Sequence, residues 1–275
     1  MSASLFEAVG SNPVWYHTID LAADVTTPGH FDLRPIVDKL PWPAVRGKRC
    51  LDVGTYDGFL AFELERRGAS EVVALDIPDH EDWDWPAEIR ALGPEYLASV
   101  AGPEKGAGFR IAREALQSSV EKVDMTVYDL SPERLGTFDV VVCGSLLLHL
   151  RDPLRALEAI RSVCSGEFMS AEEIDLRLSV RHPRRAVARL DGTGERMQWW
   201  VPNVAAHKRM VFAAGFEILR SIRPYSEAFG VAHPAHRRQM RTMHLRLART
   251  LLTADMGVPH AALLARPRVQ VRHAR

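Results

Sequence analysis

Apolar residues along this chain follow two alternating patterns. From residue 48 onward, short runs that are apolar almost throughout alternate with segments whose apolar positions recur every three to four residues. The first pattern reads as strands buried on both faces, the second as helices with one buried stripe. KRCLDVG, EVVALDI, MTVYDL, FDVVVCGSLLL, EFMSAEEI, EILRSI and AALLARP predict seven strands. FLAFELERRGA, LRALEAIRSVC and NVAAHKRMVFAAGF predict helices between them, the second capped by Asp152 with Pro153 at its first position. The expected fold is α/β, a doubly wound and mostly parallel sheet covered on both faces. Two stretches interrupt the alternation. One, about 78–120, predicts helices at AEIRALGPEYLASV and around REALQSSVEKV; the other, about 177–200, reads as a basic loop. Residues 1–48 are rich in turn residues and predict an arm or lid with one or two short helices, ahead of a main domain at 49–275. A basic helix is expected at about 234–254, where Met240, Met243, Leu247 and Leu251 form a core-facing stripe.

Composition narrows the class. With 275 residues, 47% hydrophobic and 25% charged, the chain can bury a full core. Cys50, Cys143 and Cys164 are far apart and show no metal-ligand spacing, so neither a structural metal nor a disulfide is expected. The sparse, odd cysteine count suits a reducing compartment. The start MSASLFEAVGSNP has no basic segment leading into an apolar one, and no apolar run approaches the roughly 18 residues of a membrane span. A cytoplasmic protein with no membrane partner is the expectation. Net charge is zero, but from Arg220 to Arg275 the chain carries +9 and the remainder −9.

The stretch LDVGTYDG, residues 51–58, carries the chemistry. A strand turning sharply into a helix presents free N–H groups, and Gly54 and Gly58 allow the turn and a close approach. A dinucleotide loop needs G-x-G-x-x-G to admit a pyrophosphate. Here the spacing is G-x-x-x-G, Tyr56 stands where a diphosphate would lie, and Asp52 and Asp57 would repel it. Acids beside the turn suit a cationic ligand, and S-adenosylmethionine (SAM) carries an ammonium and a sulfonium without a phosphate. Asp76 ends the next strand 22 residues past Gly54, where a carboxylate can accept ribose hydroxyls. Asp129 is expected to end the third strand and meet the adenine amino group, and the fourth strand runs into the crevice at Ser145. Thr55, Ile77 and Leu130 share these turns and complete the expected cofactor contacts.

LDVGTYDGFLAFELERRGA, VVALDI, YDLSPERLGTFDVVVCGSLLLHLRDP and WWVPNVAAHKRMVFAAGF resemble the class I SAM-dependent methyltransferases. Within them, the closer resemblance is to the group related to the tRNA wobble-uridine methyltransferases. It spans about residues 15–220 and implies a Rossmann-like, seven-stranded fold, with S-adenosylhomocysteine (SAH) as the product. Members that use carboxy-SAM have a tyrosine before the histidine that matches His149 and a lysine upstream of the glycine loop. This chain has Leu148 there, and upstream only Lys39 and Lys48, which favours plain SAM.

Methyl transfer from a sulfonium needs alignment and, for some acceptors, removal of a proton. His149 after the fourth strand, and Glu172 or Glu173 at the end of the fifth, are the expected catalytic side chains; neighbours on a strand alternate, so only one of the two acids faces inward. Trp199 and Trp200 would wall an apolar acceptor pocket, with Tyr16 beside it and His182, Arg184, Arg185 and Arg196 as its rim, while the arm's aromatic cluster Trp15, Tyr16 and His17 would close over the cofactor. That combination predicts a small-molecule acceptor in secondary metabolism, an anionic amphiphile such as an aromatic acid or an isoprenoid diphosphate. A magnesium ion could bridge such an acceptor. The alternatives are a tRNA wobble-uridine methyltransferase, or a SAM-binding protein without catalysis. Against RNA, the first 176 residues hold no basic run interleaved with aromatics.

Overall fold

A computed structural model describes residues 2–101, 105–193, 197–234 and 257–269. The N-terminal segment holds helix α1 (Ser2–Ser11), a small hairpin of β1 (Asp20–Ala22) and β2 (Val25–Thr26), and strand β3 (Phe31–Asp32). The alternation then begins with β4 (Arg49–Val53), α2 (Phe59–Arg66) and β5 (Glu71–Asp76). Short helices α3 (Ala87–Arg90), α4 (Pro94–Ala101) and α5 (Ala107–Ala115) precede β6 (Glu121–Asp124). Next come α6 (Pro132–Leu135), β7 (Phe138–Cys143), α7 (Pro153–Val163) and β8 (Cys164–Glu173). The chain continues through α8 (Leu176–Arg181), β9 (Ala188–Leu190), β10 (Trp200–Pro202) and α9 (Val204–Ala213). It closes with β11 (Phe216–Ser221), β12 (Tyr225–Phe229) and β13 (Gly257–Pro267).

Seven strands lie in the order β6-β5-β4-β7-β8-β13-β11, as one twisted sheet. β6, β5, β4, β7 and β8 are parallel, and β13 inserts antiparallel between β8 and β11. The expected seven-stranded, mostly parallel sheet is therefore present. It extends to nine strands because β12 continues along the first half of β13 and β3 pairs with β12 at the edge. Residues 1–48 thus contribute a strand to the main sheet. They also share its core: Trp15, Ile19, Leu33 and Ile36 are buried in the same cluster as Phe59, Leu60 and Ala61 of α2. Alternate residues of β4 serve opposite faces. Cys50 joins that cluster, while Leu51 and Val53 join the one beneath α7 and α9. Among the described residues no helix is long and apolar enough to cross a membrane.

Several elements differ from the sequence reading. MTVYDL is not the third strand; β6 is EKVD, four residues earlier. As the edge strand of its side it carries Glu121, Lys122 and Asp124, which hide the apolar alternation. Residues 127–129 instead form a 3-10 turn, whose Tyr128 N–H donates to the Thr126 hydroxyl. The helix expected around REALQSSVEKV ends at Ala115, just before Gln117 adopts a φ of 50°. The 87–101 helix is split at Gly93, which has a φ of 88°. The basic 177–200 stretch holds α8 and β9, the latter paired with β10. The basic helix at 234–254, with Met240, Met243, Leu247 and Leu251, lies outside the described residues apart from its first position.

Gly58 begins α2 with a φ of 95°, and a Cβ there would lie 2.5 Å from the Phe62 ring and 2.8 Å from the Phe109 ring. The glycine thus makes room for α5, which carries Phe109, as well as for the turn itself. Both rings are buried and stack on each other, so neither can give way. Gly58→Ala should lower unfolding stability by about 2–4 kcal/mol, backbone strain plus overpacking. Urea unfolding checks it; a change under about 0.5 kcal/mol would contradict this packing role.

Candidate cofactor and acceptor site

A cavity of about 630 Å³ opens at the carboxyl ends of the parallel strands. That is where ligands sit in open α/β sheets, and the size suits a small-molecule site. Its floor comes from four strand-to-helix turns: Gly54 and Tyr56 after β4, Asp76 and Ile77 at β5, Met125 to Tyr128 after β6, and Gly144 to Leu146 after β7. Its roof comes from elsewhere. Val14, Tyr16, His17 and His30 belong to the N-terminal segment; Asp82 to Pro86 and Lys105 to the first insertion; Met197 to Trp199 and His233 to later segments.

The glycine loop is held by Asp76. One carboxylate oxygen accepts the Tyr56 N–H at 2.7 Å, and the other accepts the Ile77 N–H at 2.8 Å and the Lys105 ammonium at 3.0 Å. Pulled this way, Tyr56 takes a φ of 49°, and its ring lines the cavity. Lys105 lies over the Tyr56 and Trp83 rings, 5.1 and 5.0 Å from their centres. Gly54, with a φ of 80°, leaves the cavity open where a Cβ would press on Leu146 at 3.1 Å. Beneath the loop, Asp52 is buried, one of its oxygens lacks a hydrogen-bond partner, and burial pushes its pKa up to about 7.

Asp57, the other acid of the loop, does not face the ligand space as an isolated charge. One oxygen accepts the backbone N–H of Tyr16 and of His17, each at 2.8 Å, and the other pairs with His17 Nδ1. Three donors from the N-terminal segment therefore converge on one buried carboxylate. This places Tyr16 against Tyr56 (5.5 Å between ring centres) and Phe31 (5.0 Å), and stacks His17 on Phe59 (5.5 Å).

On the far side, Ser145 sits on the cavity wall in front of a buried charge pair. Its hydroxyl donates to the Ala171 carbonyl at 3.2 Å and contacts His260 Nε2 at 2.8 Å. That nitrogen is also 2.8 Å from Glu227, and His260 Nδ1 donates to the Val258 carbonyl. Against the pull of burial, Glu227 raises the His260 pKa to about 9, so the imidazole is charged at neutral pH. The roof is stapled by Asp84. Its carboxylate accepts the Tyr128 hydroxyl at 2.6 Å and the Arg151 N–H at 2.7 Å, and its carbonyl accepts the Trp199 indole.

The Methyltransferase domain family matches residues 30–221, more than half of the chain. The chain belongs to this methyltransferase family. A ubiquinone biosynthesis O-methyltransferase of Xanthomonas campestris pv. campestris (strain B100) is 34% identical over 124 residues, 44% of this chain. The chain spans 40% of the length of that relative. Solved structures share the whole fold at low identity. The N-terminal domain of EvdMO1, in the presence of SAH and D-fucose, has a TM-score of 0.53 at 15% identity, covering 97% of each chain. SpnF, described as a [4+2]-cyclase, has a TM-score of 0.52 at 18% identity, covering 97% of this chain and 93% of its own. The fold is that of the class I SAM-dependent methyltransferases.

Not every residue singled out from the methyltransferase sequence reaches the cavity. Gly54, Asp76, Ile77, Ser145, His149, Trp199 and Tyr16 do. Thr55 and Gly58 are part of the loop but lie off the cavity wall, as does Asp52. Asp129 is half exposed and 3.5 Å from Arg134, and Leu130 is buried in the core under α7; both follow from the earlier end of β6, which brings Met125 to Tyr128 to the cavity wall instead. Glu172 points at the β7 turn rather than the cavity. It accepts the Leu146 and Leu147 N–H groups at 3.1 and 3.0 Å and contacts Cys143 Sγ at 3.6 Å. Glu173 receives the Gln198 amide at 3.2 Å, also off the wall. His149 donates through Nδ1 to the Met197 carbonyl, and burial holds its pKa low; Lys105 and Asp76 are its charged neighbours. Trp200 turns away, its indole donating to the Arg151 carbonyl at 3.1 Å. Arg184 and Arg185 are exposed outside the cavity. His182 is outside it too, because Asn203 ties the His182 and Arg185 carbonyls at 2.9 Å each. Arg196 is outside the described residues. Cys50, Cys143 and Cys164 are buried free thiols, and the described residues hold no group of three or more His, Cys, Asp or Glu side chains placed for a metal.

Burial pushes the Glu172 pKa up to about 8, with the Leu146 and Leu147 N–H groups and His260 acting the other way. A carboxyl raised above its unfolded value binds an extra proton in the folded state. Its contribution is therefore lost as pH rises from the ordinary carboxylate range through about 8. Glu172→Gln keeps the acceptor and cannot ionise. Between about pH 5.5 and 8.5 the wild-type protein should lose more than about 1 kcal/mol relative to this variant, read from urea midpoints. Parallel pH profiles would contradict the assignment.

Proposed function

We propose that the protein transfers a methyl group from SAM to a small molecule held between the sheet edge and the N-terminal segment. The observation that carries this is one continuous cavity whose wall includes Asp76 and Gly54 as well as Tyr16, Ser145, His30 and His233. Its cofactor end fits SAM. A strand-end carboxylate meets ribose, an open glycine turn admits the methionine chain, and the unmet oxygen of Asp52 beneath that turn suits a cationic ligand. SAM supplies an electrophilic methyl on a sulfonium when bound. The chain's own residues do the rest. Asp76 orients the ribose, Tyr56 and Trp83 wall the site, and the stapled roof excludes water. Ser145 offers the acceptor a hydroxyl fixed by the charged His260–Glu227 pair behind it.

A small acceptor is favoured over tRNA by the lining. Lys105 is its one lysine or arginine among the described residues, and that ammonium is paired with Asp76, whereas RNA binding draws on many phosphate contacts. The same lining favours an aromatic or otherwise apolar acceptor over the anionic amphiphile, since Arg184 and Arg185 stand outside it. A role in secondary metabolism belongs to this reading, with residues 1–48 as the closing arm.

Two measurements test it. Calorimetry should show SAH binding, weakened about 10–100-fold by Asp76→Asn through loss of a charged acceptor for two hydroxyls. Incubation with SAM bearing a deuterated methyl and a small-molecule extract of the source cells should label a small product and leave tRNA unlabelled. Labelled tRNA, or SAH binding indifferent to Asp76→Asn, would overturn the reading.

A further inference from the structure

SAM and SAH carry a carboxylate at the methionine end, and a charge taken out of water needs a partner. The cavity is short of cations. It has no arginine among the described residues, and Lys105 is held on Asp76, at the ribose end. Burial lowers the pKa of His149 and of His30, which keeps both neutral. His17 differs in position and in partner. It lines the cavity beside the glycine loop, with its ring stacked over Phe59, the first residue of α2. Its Nδ1 is taken by Asp57, and its own backbone N–H fixes the same carboxylate. The ring therefore cannot turn, and Nε2 is the nitrogen that Asp57 does not use.

We propose that the His17 imidazolium, locked in place by Asp57, is the counter-ion for the carboxylate at the methionine end of the cofactor. The inference rests on the SAM reading above and assigns one end of it. Charged and titratable groups around His17 support it. Burial pulls the imidazole toward neutrality, but Asp57 on Nδ1, with Glu227 from β12 and Asp52 from β4 further off, outweighs burial and holds its pKa up. Tyr16, the neighbouring ring, is itself kept protonated by burial and by Glu227, so it adds no competing charge. Asp57 takes the Nδ1 side of the ring, and in this assignment the second N–H of the cavity-lining imidazolium goes to the ligand. One carboxylate would thus seat the arm and, through the ring it holds, bind the cofactor.

The test compares SAH with 5′-methylthioadenosine, which keeps the adenosine and the sulfur but lacks the amino-acid end. His17→Asn retains an N–H donor for Asp57, so the arm stays seated; unchanged urea unfolding verifies that. Calorimetry should show SAH weakened about 10–100-fold in this variant, and 5′-methylthioadenosine changed less than about twofold. The protonated ring is the binding form, so the wild-type advantage for SAH should shrink as pH rises through the raised His17 value. Equal weakening of both ligands, or unchanged SAH affinity, overturns the assignment. Failure of the wild-type protein to bind either ligand would instead remove the SAM reading itself, so the two failures are distinguishable.

Discussion

The Asp57 carboxylate is the joint on which the site depends. It belongs to the glycine loop, yet its three hydrogen bonds come from Tyr16 and His17. These three donors satisfy a buried carboxylate that would otherwise cost several kcal/mol to leave unpaired. Holding Tyr16 and His17 also fixes the next stretch of chain. The Thr18 N–H bonds the Phe31 carbonyl at 2.8 Å, and β3, which contains Phe31, pairs with β12. One ion pair therefore ties the glycine loop, the cavity roof and the last pair of the sheet into a single unit. The N-terminal segment, read from the sequence as an arm or lid, shares the core through its buried Trp15, Ile19 and Leu21.

Much of this was readable in the sequence, and what escaped has physical reasons. Strands buried on both faces, such as β4, β5 and β7, announce themselves because burial forbids polar interruptions. The acid at Asp76 was legible from its place after such a strand. β6 was not, since an edge strand tolerates charges on both sides of its pleat. Asp129 was misplaced with it. The adjacent acids Glu172 and Glu173, and the adjacent Trp199 and Trp200, were ambiguous for another reason. Alternation says that neighbours point apart but not which one faces the ligand, and only the turns stacked above decide. The Asp57–His17 contact joins residues 40 apart through tertiary packing and leaves no local periodicity to detect. His17 was visible only as part of an aromatic cluster, WYH, in a segment expected to move over the cofactor.

Behind Ser145 and the β7 turn lies a layer of buried ionisable groups: Glu172, Glu227, His260 and Cys143. They are not distributed as interchangeable solvated charges would be. Glu227 and His260 neutralise each other; Glu172 is held protonated by burial and used as a backbone acceptor; Cys143 stays a thiol beside it. The effect is a rigid floor for Ser145 and the β7 turn with little net charge. A cationic sulfonium above such a floor would meet oriented dipoles instead of a bare carboxylate, so its charge would not be trapped in a tight ground-state pair.

The frame and the additions therefore carry different parts of the chemistry. The four turns after β4, β5, β6 and β7 belong to the parallel frame, and they form the cavity floor, with Ser145 on the last of them. The cavity roof is made by pieces outside the parallel strands: the N-terminal segment, the stapled 82–86 loop, residues 197–199 and the region after β12. Fold alone cannot choose a reaction, as a neighbour described as a [4+2]-cyclase illustrates. What can choose it is the shape and polarity of those additions, because they set which atom approaches the methyl and whether water accompanies it. In this chain they present imidazoles and aromatic rings around one fixed serine hydroxyl, with Lys105 turned back onto Asp76. The proposed acceptor would gain from such a wall by being apolar over most of its surface and polar at one point, the point to be aligned with the methyl.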